Sequence, residues 1–152
     1  MKVVGQKMSI PWQVVVASSD LENRRSLAAV LLRLGIDPFC VSAVSHCREI
    51  LEKEIVGLIF SDPTLSDGDY RDILETSHSI YGRPYLVLTC RHTHTEYRQA
   101  VGIGVFDVIS VPCRPTDVEW MVIQARRDDL KRLKPGPEPA IAVRRPLSIK
   151  AL

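Results

Sequence analysis

From Gln13 onward, short apolar runs alternate with longer stretches whose apolar residues recur at helical spacing. That alternation predicts repeated βα units rather than a helical bundle or a sandwich. Val14-Val15-Val16-Ala17 is continuous and β-branched, the pattern of a strand buried on both faces. Ser18-Ser19-Asp20 then offers capping oxygens, Leu27, Val30, Leu31 and Leu34 recur at helical spacing, and Gly35 supplies a C-terminal stop. The second unit reads as a short strand, Phe39-Cys40-Val41, and a helix from Ser45 to Ile55 with Cys47, Ile50, Leu51 and Ile55 on one face. A third strand, Gly57 to Ser61, ends at Asp62, and a loop holding Pro63 and Asp67-Gly68 leads to a polar helix around Tyr70 to Ile80. Tyr85 to Thr89 forms the fourth strand, Thr95 to Val101 a short helix, and Val105 to Val111 the fifth strand. Arg114-Pro115-Thr116 opens a long last helix with Val118, Met121, Val122 and Ala125 on one stripe.

Parallel strands with right-handed helical crossovers give an open α/β sheet covered on both faces, with its functional crevice at the carboxyl ends of the strands. The residues expected there are Ser18, Ser19 and Asp20, then Asp62, then Thr89 and Cys90, then Val111, Pro112 and Cys113.

Composition narrows the class without changing this layout. The 152 residues, 45% hydrophobic and 25% charged, suit one domain that needs no disulfide or structural metal to hold it. We expect an N-terminal extension over 1–12, the domain over 13–134, and an extended tail over 135–152. Cys40, Cys47, Cys90 and Cys113 form no CxxC pair and no secretory leader precedes them, which points to a reduced, cytoplasmic protein. No apolar run approaches the roughly 18 residues of a membrane span. The net charge of +2 divides unevenly: residues 13–130 hold 12 basic and 17 acidic side chains, while the last 22 residues are basic. That tail, Pro-rich and without apolar period, reads as a solvated segment, with contacts to nucleic acid or an acidic partner as the other options.

An acid ending the third strand, a hydroxyl ending the fourth and a proline just past the fifth are similar to the receiver domain of two-component response regulators. The resemblance covers about residues 13–130. Leu58-Ile59-Phe60-Ser61-Asp62 resembles the strand presenting the family's phosphoacceptor, Leu86-Val87-Leu88-Thr89 the strand presenting its switch hydroxyl, and Asp107-Val108-Ile109-Ser110-Val111-Pro112 its D-Y-x-x-K-P segment. Ser18 to Arg24 and Arg33-Leu34-Gly35 resemble its opening. The resemblance implies a flavodoxin-like (βα)5 fold, a doubly wound five-stranded parallel sheet of order 2-1-3-4-5. It also implies Asp62 as phosphoacceptor candidate and Thr89 as switch hydroxyl.

The departures fall on the chemistry. Phosphoryl transfer to a carboxylate needs Mg²⁺, a lysine and a hydroxyl to meet the charge on the transferred oxygens, and Mg²⁺ wants carboxylate ligands. Ser18 and Ser19 stand where the family has its acidic pair, with Asp20 one position beyond. Val111 stands at the lysine, Val108 at the inward-turning aromatic, and Pro63 removes a backbone donor beside Asp62. The expectation is a stand-alone degenerate receiver acting through protein–protein interaction, without enzymatic activity and with no cofactor, its Asp62 a relic or a capping acid. The alternative is a working atypical receiver, phosphorylated on Asp62 by a histidine kinase with Mg²⁺, in which Arg91 or Arg114 replaces the missing lysine. A third option, a Zn²⁺ or redox site of Cys90, His92, His94 and Cys113, competes with a reading of Cys40, Cys47 and Cys90 as buried apolar residues. Expected partners are a kinase or output protein, or a second copy docking through Ile103, Val105, Trp120 and Met121. With about 20 residues after the last helix there is no helix-turn-helix module, hence no specific nucleic-acid partner.

Overall fold

In a computed structural model of the chain, residues 10–80, 82–91 and 94–133 are described. Seven strands and five helices follow the predicted order, with one addition. The strands are β1 (Gln13–Ala17), β2 (Phe39–Val41), β3 (Val56–Ser61), β4 (Thr64–Leu65), β5 (Gly68–Asp69), β6 (Tyr85–Thr89) and β7 (Asp107–Ile109). The helices are α1 (Leu21–Arg33), α2 (Val44–Lys53), α3 (Tyr70–His78), α4 (His94–Gly102) and α5 (Pro115–Leu133). Five strands form one parallel sheet in the order β2-β1-β3-β6-β7, which is the expected 2-1-3-4-5 order once the two-residue β4 and β5 are set aside.

The continuous apolar runs are continuous because both faces are covered. Val14, Val16, Leu58, Phe60, Tyr85 and Val87 point toward α1 and α5, packed with Leu27, Leu31, Val118 and Val122. Val15, Ala17, Ile59, Leu86 and Leu88 point the other way, against Cys47, Leu51, Ile73 and Ala100 of α2, α3 and α4. Trp12, within the segment expected to be an extension, is buried in the first of these layers and donates Nε1–H to Asp129 Oδ2 at 3.0 Å. Its ring covers Gly57, where a Cβ would lie 2.1 Å from the indole, and the β1–β3 register skips that glycine.

Several boundaries differ from the sequence reading for physical reasons. Ile55 lies beyond the end of α2 and is 77% exposed rather than on its buried face, because the helix ends at Lys53 and the chain turns extended at Glu54. Cys40 is exposed rather than apolar-facing, since β2 is an edge strand and Cys40 alternates away from the core. The fifth sheet strand is three residues long, not seven: Val105 N–H closes the end of α4 on Ala100 O, and only Asp107, Val108 and Ile109 pair with β6. The loop after Asp62 folds into the antiparallel β4–β5 ladder, which the sequence did not predict. Its purpose is visible in the caps. Ala43 cannot cap α2 with its side chain, and Asp67 accepts from Val44 N at 2.5 Å and Ser45 N at 3.1 Å instead. Among the described residues no helix is long and apolar enough to cross a membrane.

Candidate functional site

Sheet register assembles the site. Ala17 pairs with Ser61 and Ser61 with Leu88, so the next residues, Ser18, Asp62 and Thr89, lie side by side at the carboxyl ends of three adjacent strands. Asp20 caps α1 by accepting from Glu22 N at 3.0 Å, and this turn brings Asn23 back over the strand ends. Ser18 and Thr89 are buried, and Asp62 is half-buried.

These four side chains form a closed hydrogen-bonded cluster. Ser18 Oγ donates to Asp62 Oδ2 at 2.5 Å, the range of a charge-assisted O–H···O⁻ bond. Asn23 Nδ2 donates to Asp62 Oδ1 at 2.7 Å, and Thr89 Oγ1 stands 3.1 Å from the same oxygen and 3.3 Å from Ser61 O. Ser18 Oγ in turn accepts from Asp20 N at 3.1 Å, and Arg24 Nη1 fixes the Ser18 carbonyl at 2.7 Å. Burial raises the Asp62 pKa above its usual value; the hydrogen bonds from Ser18, Thr89 and Asn23 oppose this, and the Asp20 charge adds to it. Burial therefore outweighs three donors.

The expected residues separate into those the fold gathers and those it does not. Ser19 is exposed and does not touch Asp62. Asp20 stays one residue beyond the strand end, engaged in the α1 cap. Val111 lines the cleft at the lysine position, and the peptide joining it to Pro112 is cis. Arg91 also lines the cleft, whereas Arg114, just before α5, pairs with Asp117 of its first turn at 3.3 Å. Cys90 packs with the α2–α4 layer and Cys113 against the α1–α5 layer, so the two thiols belong to opposite faces of the sheet. Burial pushes both thiols up, Cys113 to about 12, with the Asp62 charge adding to each. His92 lies outside the described residues, as does the side chain of His94. Among the described residues no group of three or more His, Cys, Asp or Glu side chains is placed to hold a metal.

The proposed docking face divides as well: Val105 and Met121 are core residues, while Ile103 and Trp120 are 44% and 47% exposed. Val108 is buried in the α2–α4 layer. Asn23 was missed by the sequence reading. Its signal was its place in the first turn after the Asp20 cap, where a side chain reaches back over the strand ends.

The cleft around this cluster holds about 770 Å³ and is lined by Asp20, Asn23, Asp62, Tyr70, Thr89 and Pro112, among others. A five-stranded parallel sheet of this order is the receiver fold of response regulators. In all, 224 solved chains match this structure, receiver domains among them. One is the receiver domain of a putative Luxo repressor protein from Vibrio parahaemolyticus, 14% identical, with a TM-score of 0.73 over 84% of this chain and 99% of that one. Another is a CheY-like response regulator receiver domain protein from Methanospirillum hungatei JF-1, 16% identical, TM-score 0.71, covering 80% of this chain and 98% of that one. A third is the beryllofluoride-activated NtrC4 receiver domain dimer, 14% identical, TM-score 0.71, covering 77% and 98%. No protein-family model matches the chain, and no curated protein does.

Proposed function

We propose that this chain is a receiver-fold module of signal transduction that acts by binding protein partners, with Asp62 held in a hydrogen-bonded cluster rather than worked as a phosphoacceptor. The observation that carries this reading is the company Asp62 keeps. Its carboxylate accepts from Ser18, Asn23 and Thr89, all neutral, and among the described residues no Lys or Arg forms an ion pair with it. The donor set does not suit Mg²⁺. The aligned acidic-pair positions are hydroxyls, Ser18 Oγ already serves Asp62 and Asp20 N, and Asp20 is engaged in a helix cap. Losing both metal carboxylates and the lysine removes several kcal/mol of charge stabilisation from phosphoryl transfer, at about 3 kcal/mol per lost donor.

The partner class is a signalling protein, a kinase or an output protein, with a second copy of the chain as a further form. The structural similarity to a receiver domain dimer supports including the latter. Incubation of the full chain with a small phosphodonor and Mg²⁺ tests the reading. The expected result is no hydroxylamine-labile adduct at Asp62. Labelling at ordinary rates that Asp62→Asn abolishes would overturn it in favour of an atypical phosphorylated receiver.

A further inference from the structure

Two properties of the strand-end cleft define what fits it. Its lining is acidic in balance: five carboxylates, Asp20, Glu22 and Asp62 among them, stand against Arg71 and Arg91. Tyr70, Leu88, Cys90, Val111 and Pro112 supply its apolar part. A carboxylate offers about four acceptor positions. Three on Asp62 are in use, two on Oδ1 and one on Oδ2, which leaves room on Oδ2 for one more N–H donor. At about 770 Å³ the cleft has the size of a site for several side chains rather than one ion. An occupant that combines cationic groups with small apolar ones matches both properties.

The chain itself carries such a segment. Residues 140–150 run Ala-Ile-Ala-Val-Arg-Arg-Pro-Leu-Ser-Ile-Lys, with paired arginines between apolar residues and no acid among them. Reach is sufficient. Helix α5 starts three residues after Pro112, at the cleft, and its 19 residues carry the chain about 28 Å to the far end of the sheet. The ten residues 134–143 span up to about 33 Å when extended, enough to return Arg144 to the cleft. Pro135, Pro137 and Pro139 favour an extended connection over a helical one. Tethering at this length supplies an effective concentration on the order of 1 mM, so even a weak contact is populated.

We propose that the basic segment around Arg144 and Arg145 folds back into the strand-end cleft of its own chain, its guanidinium groups facing Asp20, Glu22 and Asp62 and its apolar residues covering Val111 and Pro112. The segment thus supplies, from the C-terminus, a positive charge that Val111 does not. The proposal does not depend on whether Asp62 accepts phosphate, and its test uses no phosphodonor.

The test compares ¹H–¹⁵N spectra of the full chain with those of the full-length Arg144→Glu/Arg145→Glu variant. The expected result is a shift of the Asn23, Asp62, Thr89 and Arg91 amides between the two. At about 1 M salt, where the Debye length falls to about 3 Å, the wild-type signals should move to the variant's positions. Cleft amides that coincide in the two chains at low salt, while only residues 140–150 change, would overturn the proposal. A difference that grows with protein concentration would also overturn it, since the occupant would then be the tail of a second copy. So would cleft shifts produced only by adding a synthetic peptide of residues 138–152 to either chain.

Discussion

Ser18→Ala separates a hydrogen-bonded carboxylate cluster from a chance arrangement of polar side chains. The substitution removes the donor 2.5 Å from Asp62 Oδ2 and the acceptor 3.1 Å from Asp20 N. A hydrogen bond to a charged group contributes about 1.5–3 kcal/mol and a neutral one about 1 kcal/mol. Ser18 itself is fully buried, so no water replaces its hydroxyl in place, but Asp62 is half-exposed and recovers part of its loss from solvent. The expected cost is therefore about 3 kcal/mol at neutral pH, or roughly 9–12 °C in Tm for a domain of this size. Against Asp62→Asn the same substitution loses two neutral bonds and should cost about 2 kcal/mol, leaving a coupling of about 1 kcal/mol.

Urea unfolding of the four proteins in this double-mutant cycle measures the coupling, and pH gives it a second signature. Burial has raised the Asp62 pKa above its unfolded value, so ionised Asp62 is a net cost to the fold, fully present above the folded pKa and absent below the unfolded value. Wild type should gain stability relative to Asp62→Asn as pH falls through that window. The cost of Ser18→Ala should shrink over the same window, because its partner becomes neutral. A coupling within the additivity error of about 0.5 kcal/mol, unchanged by pH, would refute the cluster as the determinant of Asp62's state.

Four further outcomes follow from the structure. Gly57→Ala places a Cβ 2.1 Å from the Trp12 ring and should destabilise by about 1–3 kcal/mol or more, with little added cost in a Trp12→Ala background; full additivity in denaturation would refute the contact. Asp67→Ala should loosen the first turn of α2, seen as faster amide exchange at Val44 and Ser45. The two backbone N–H bonds lower the Asp67 pKa, so its stabilisation is present above the unfolded value of about 3.9 and lost below it, and the variant's deficit should vanish at acid pH. Alkylation of the native chain should mark Cys40 before Cys47 and Cys113, whose thiols burial holds up near 12; equal rates read by mass spectrometry would contradict their placement. Val111→Lys introduces a cation beside the cleft and should lower the Asp62 pKa in a carbon-13 titration without conferring phosphodonor labelling, and labelling would show that the lysine alone was limiting.

The order of elements was legible because the inner sheet strands carry runs that had to be buried on both faces, and the helices between them carry their stripes at helical spacing. Val14 to Ala17 and Tyr85 to Thr89 illustrate this: nearly all are buried, half in each layer. What was not legible depends on contacts distant in sequence. The β4–β5 ladder forms around an acid that caps a helix starting 23 residues earlier, and no local pattern announces it. Ile55 looked like the last member of a helical stripe because periodicity does not register where the backbone turns extended. The short β7 reflects Val105 closing α4, an option a β-branched residue does not advertise.

At the site, the strand-end residues were predictable because parallel register carries successive strand ends to one edge, but their mutual state was not. The resemblance to receivers implies two acids and a lysine where this chain has Ser18, Ser19 and Val111, a reading that alone would leave Asp62 as an uncompensated charge at a sheet edge. The fold supplies a different compensation. Ser18 donates to one carboxylate oxygen, and Asn23 reaches in from α1 to occupy the other. Neutral donors favour the ionised carboxylate without a cation, although burial and the Asp20 charge still hold the Asp62 pKa above its usual value. Together Ser18, Asn23 and Thr89 hold Asp62 in one hydrogen-bonded arrangement, the feature on which the proposed partner-binding function rests.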